Sequence, residues 1–140
     1  MQNVKEVISE NPILSNIVAA IQDLKTLPGV KEKMVNVIEQ QTLKGLAKYG
    51  QAVNADALET VDWIEHLIQE LGDSVVYAQT IIEKGILGEA TRLQLLAIRD
   101  SQLAHLQRAV TIKIQVIALR KASEGECQNE NRPTSSDSKE

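Results

Sequence analysis

Trp63, His66, Glu70, Asp73 and Tyr77 follow one another at spacings of three, four, three and four residues, so on a helix their side chains form a single line. Two carboxylates stand in its middle. At i and i+3, Glu70 and Asp73 can aim both carboxylates at one point, the oxygen donor set that a hard cation such as Mg²⁺ takes. One helix rarely completes such a site. Mg²⁺ keeps several of its six ligands as water or substrate phosphate, so a facing helix or a bound nucleotide would supply the others. The same acidic pair is also the ordinary solvated face of a helix. Trp63 and Tyr77, in a chain with one Trp, two Tyr and no Phe, border the line as stacking platforms or as core aromatics.

The helix that must carry this line is expected over residues 60–84. Ile64, Leu67, Ile68, Leu71, Val75, Ala78 and Ile82 make a second, apolar stripe beside it, as on a helix packed against a core. Thr60 or Asp62 can cap its start and Gly85 ends it. Gly72, inside, costs about 1 kcal/mol against Ala, which points either to a neighbouring backbone or ligand coming close there or to tolerated slack. Upstream, residues 30–49 read as a helix whose apolar face is Met34, Val35, Ile38, Thr42, Leu46 and Tyr49, with Glu39 at its border and Gly50 as terminator. Lys44 and Lys48 point to one side near its C-terminus, where they favour the helix dipole or bind phosphate.

Before these come a short helix ended by Asn11-Pro12 and a second over residues 13–27 ended by Pro28-Gly29; both are expected to cover a core or a subunit interface. Residues 51–60 are a polar connection, a loop or a short turn of helix. Residues 88–122 give the longest helical signal. Ile112, Ile114 and Val116 alternate briefly like a strand, but the flanking helical pattern prevails. This helix is apolar on more than one side, which favours a homo-oligomer, a dimer or larger; His105 on it reads as a surface or interface residue. Residues 123–140, rich in Ser, Glu, Asn and Lys, are expected to be disordered.

Composition narrows the class. The chain has 140 residues, 43% hydrophobic, with seven glycines and three prolines, which fits one all-α domain over residues 1–122, a bundle of four to five helices. Net charge is −4, so a broad electrostatic grip on nucleic acid is not expected. Arg108, Lys113, Arg120 and Lys121 are the one cluster that would support it. The single Cys127 allows no intrachain disulfide and no cysteine-based zinc site and suits a reducing compartment. No apolar run reaches the roughly 18–20 residues a membrane span needs, and the chain is expected to be cytoplasmic and soluble, with no membrane partner.

Glu70-Leu-Gly-Asp73 on one helix and Lys44-Gly45 to Lys48-Tyr49-Gly50 ending the one before it resemble the MazG-like, all-α nucleoside triphosphate pyrophosphohydrolases, in particular small phage and prophage members carrying a "KYG" element. The resemblance spans about residues 32–84, before a long helix over about 89–122. In that superfamily two helices carry E-x-x-E and E-x-x-D motifs that hold Mg²⁺ against a triphosphate, and Glu70 and Asp73 match the second motif. Glu39 stands on the helix of the first, but Thr42 replaces its second acid. The resemblance implies hydrolysis of a nucleoside or deoxynucleoside triphosphate to monophosphate and pyrophosphate. Glu39, Glu70 and Asp73 would be metal ligands or the base for water. Lys44, Lys48 and Tyr49 of the KYG region, His66 on the acidic line, and Trp63 or Tyr77 as stacking partner would bind substrate. The Thr42 departure suits the alternative, a non-catalytic helical nucleotide-binding or scaffold protein of the same fold.

Overall fold

The structure is a computed structural model that describes residues 3–130. Five α-helices and one 3₁₀ turn make up its regular elements: α1 Val4–Glu10, α2 Pro12–Gln22, α3 Val30–Tyr49, the 3₁₀ turn Ala55–Ala57, α4 Thr60–Glu83 and α5 Glu89–Glu130. The fold is all-α, and no strand occurs among the described residues. The chain divides into two compact units, the first through Ala57 and the second from Leu58.

In the first unit α1, α2 and α3 each pack on the other two, around Val7, Ile8, Leu14, Ile21 and Thr42. Asn11 organises the corner between α1 and α2. Its backbone N–H donates to Val7 O at 3.1 Å, closing α1, while its Oδ1 accepts from Ile13 N and Leu14 N at 3.1 Å each, capping α2. Pro12, which has no N–H to satisfy, takes the first helical position. The Asn11 Nδ2 also donates to Val53 O at 2.8 Å, which ties the corner to the segment after α3. The expected second helix ran to 27, but α2 stops at Gln22. Pro28 restricts Leu27 to extended backbone, and Lys31 Nζ donates to the Gln22 carbonyl, one of the acceptors a helix end leaves open. α3 begins and ends as expected, between Gly29 (φ 82°) and Gly50 (φ 72°), left-handed positions that suit glycine.

The second unit is an antiparallel hairpin of α4 and α5. Arg99 Nη1 donates to Gln79 Oε1 at 2.7 Å, Lys113 pairs with Glu65, and Arg120 Nη2 meets Glu59 Oε2 at 3.2 Å. Moving from Gln79 back to Glu65 is thus matched, residue for residue, by moving from Arg99 forward to Lys113. Neither Thr60 nor Asp62 caps α4; Glu59 takes that position without a side-chain cap bond, its carboxylate going to Arg120. Two helices can cover only one side of each other, and among the described residues only Ala78 and Ala109 of this hairpin are buried. α5, with 42 residues, is about 63 Å long at 1.5 Å per residue. It is helical throughout 112–116, where a strand competed, and continues to Glu130 instead of ending at Ala122. No proline interrupts it there, so propagation adds a hydrogen bond per residue without a new nucleation cost. The expected disordered tail therefore does not begin at 123, and its residues 131–140 lie outside those described.

Candidate functional site

The acidic line of α4 faces an open groove of about 310 Å³. Glu70, Asp73, Tyr77 and Ser74 line it from α4, and Leu95 and Ile98 from α5. Glu70, Asp73 and Tyr77 are exposed, and neither carboxylate has a hydrogen-bond or ion-pair partner among the described residues. At the N-terminal end of the line, the rings of Trp63 and His66 sit 6.2 Å apart and tilted by 55°. Such an edge offers acceptor oxygens beside a phenol and an apolar floor, a combination that takes a hydrated cation or a cation-bound anion. Leu95 and Ile98 escaped the sequence reading. Their spacing of three residues marks a shared helix side, but only the cross-helix bonds bring that side against α4.

Gly72 stands level with the two acids, and a Cβ built there meets nothing within 4 Å. No other backbone comes close to it there. Glu65, by contrast, is held. Its hydrogen bond to the Lys113 ammonium, then that group's charge, holds the carboxyl below its ordinary value of 4.5, with smaller help from Gln69 and His66 and opposition from desolvation.

Glu39, Lys44, Lys48 and Tyr49 belong to α3 in the first unit. Glu39 is half-buried and both lysines are exposed. Tyr49, expected on the apolar face, is instead 67% exposed; its ring lies under Lys48 Nζ, 5.0 Å from the centroid. Tyr49, as a hydrogen-bond partner first and through charge second, raises the Lys48 pKa above its ordinary value. Thr42, the departure from the resemblance, has a structural place of its own. It is buried at 8% exposure, and its hydroxyl donates to Ile38 O at 2.8 Å, so an acid there would enter the interior of the first unit. Among the described residues no group of three or more His, Cys, Asp or Glu is placed to hold a metal ion.

Of the basic residues near the end of the last helix, Lys113 and Arg120 are engaged by Glu65 and Glu59. No helix among the described residues is long and apolar enough to cross a membrane. Compared with protein-family models, curated proteins and solved structures, the chain finds no match.

Proposed function

We propose that the chain is a Mg²⁺-dependent pyrophosphohydrolase of nucleoside or deoxynucleoside triphosphates, MazG-like, cytoplasmic and active as a homo-oligomer. The observation that supports this reading most is the unpartnered Glu70–Asp73 pair beside Tyr77 at an open groove, while the neighbouring Glu65 is neutralised by Lys113. The donor set suits a hard cation: two carboxylates on successive turns, with open positions left for water and phosphate. When bound, the metal would neutralise phosphate oxygens and lower the pKa of the attacking water. Glu70 and Asp73 would hold it; a role for Glu39 of α3 as ligand or base is what the resemblance alone implies. For Lys44, Lys48 and Tyr49 of α3 too, a part in binding phosphate or substrate is what the resemblance alone implies. Tyr77 or Trp63 would stack on the base, with His66 on the same line.

The second reading is a non-catalytic nucleotide-binding or scaffold protein, and the burial of Thr42 favours it, because the first acidic motif cannot be completed at that position. Incubation with each common NTP and dNTP plus Mg²⁺, followed by detection of monophosphate and pyrophosphate, separates the two. Release of both products supports the enzyme; nucleotide binding without release supports the second reading.

A further inference from the structure

Arg92, Arg99, Lys113 and Arg120 of α5 each meet a carboxylate. Arg108 is exposed and meets none among the described residues. Lys121 is likewise unpaired there, but it lies past Arg120, which meets Glu59 just before α4 begins. The cross-helix bonds fix what stands beside Arg108. Counted from Glu65 and Lys113, five residues forward on α4 and five back on α5 bring Glu70 level with Arg108, and three more bring Asp73 level with His105. Counted from Gln79 and Arg99 at the other end, six residues back and six forward reach the same Asp73 and His105.

The groove fixes the side. Ile98 lines it from α5, and His105 follows Ile98 by seven residues, two turns on along the same side of the helix. On α4, Trp63, Glu70 and Tyr77 recur every seven residues, and level with them on α5 stand Gln115, Arg108 and Ser101, also seven apart. The two rows run along facing rims. One rim is acidic at its middle and the other basic, yet Glu70 and Arg108 do not meet as an ion pair.

We infer that Arg108, with His105 beside it, is the anion-binding arm of this site and takes the phosphate oxygens of a ligand whose metal Glu70 and Asp73 hold. The inference rests on the metal role proposed for the acid pair and adds the group that receives the phosphate. Two carboxylates cancel the charge of one Mg²⁺, so the charge of a pyrophosphate group needs a further cation. Lys44 and Lys48 belong to the first unit, whereas Arg108 and His105 share the hairpin of the acid pair. A guanidinium stays charged at every working pH and offers a planar fork that phosphate accepts through two oxygens, and the imidazole of His105 adds an N–H donor. Packed helices stand about 8–10 Å apart, axis to axis, a span that a metal-bound pyrophosphate bridges from rim to rim.

Calorimetric titration of the full chain with two probes, Mg²⁺ alone and inorganic pyrophosphate in excess Mg²⁺, tests this. Arg108→Ala should weaken pyrophosphate binding about tenfold to a hundredfold and leave the binding of Mg²⁺ alone unchanged. Arg108→Lys should recover part of the loss, because lysine keeps the charge without the fork. His105→Ala should cost about fivefold, and Lys121→Ala nothing. Arg108 is exposed and unpaired, so its removal should leave the helical circular dichroism and the melting temperature as they are, which separates a binding role from a structural one. Undiminished pyrophosphate binding in Arg108→Ala, an equal loss in Lys121→Ala, or no pyrophosphate binding by the wild type would overturn the inference. Mg²⁺ binding with pyrophosphate indifferent to Arg108 keeps the metal site and removes the arm. Pyrophosphate binding that needs Arg108 but not Mg²⁺ keeps the arm and removes the metal site.

Discussion

The two units of this chain solve the same problem to different degrees. Three helices in the first unit close around Val7, Ile8, Leu14, Ile21 and Thr42, and Asn11 satisfies backbone groups of two helices and a connecting segment at once. In the second unit, among the described residues, two long helices bury only Ala78 and Ala109 and leave Glu70 and Asp73 unpartnered at a groove. Where packing is complete, polar groups are used up in holding the fold. Where it is incomplete, acceptors and apolar surface remain for something outside the chain.

Substitutions can break or sharpen that contrast. Thr42→Glu, which would place an acid where the proposed MazG-like motif has one, should have the largest effect on stability. A charge placed in the interior of the first unit costs about 3 kcal/mol or more, read as a lower denaturation midpoint by urea titration. Asn11→Ala removes the α2 cap and the bond to Val53 and should cost about 1–2 kcal/mol, seen in the same titration. In the second unit Gly72→Ala should act in the opposite direction. The added methyl meets nothing, so the substitution should stabilise by up to about 1 kcal/mol, a higher melting temperature by differential scanning calorimetry.

The smallest effect is expected at the half-buried, solvent-screened Glu65–Lys113 pair. Because the folded protein holds Glu65 below its ordinary value of 4.5, the pair stabilises above that pH, and its contribution is lost as pH falls through the lower folded value. Glu65→Gln should leave a slightly less stable protein whose melting temperature changes less over that acid range. Equal acid sensitivity in the two proteins would show that Lys113 does not hold the carboxylate.

Helix order was legible because its signals are local. Gly29 and Gly50 bracket α3, and the 3.6-residue stripes of α4 are long and regular. Boundaries failed where a signal was missing or acted at a distance. Leu24 and Leu27 continue the α2 period although Pro28 acts back on Leu27, and the polar end of α5 lacks a stop, so composition alone suggested disorder from Ser123. The division at Ala57 falls inside the polar connection read over residues 51–60. At the site, Glu70, Asp73 and Tyr77 could be read as one line from their spacing, and Thr42 already belonged to an apolar face. The α5 side of the groove could not be read, because the register that brings Leu95 and Ile98 there depends on the bonds of Arg99 and Lys113 across the hairpin.

Asp73→Asn tests the central claim most directly, measured as pyrophosphate release from triphosphates with Mg²⁺ and as melting curves with and without Mg²⁺. The substitution keeps the side chain's shape and removes one charge from the acidic pair. Two nearby carboxylates without a cation repel each other, so the melting temperature without Mg²⁺ should stay level or rise, while the stabilisation that Mg²⁺ brings to the wild type should vanish and hydrolysis should fall by orders of magnitude. Retained hydrolysis, with a melting temperature lowered equally in the presence and absence of Mg²⁺, would contradict the account and make Asp73 a structural acid.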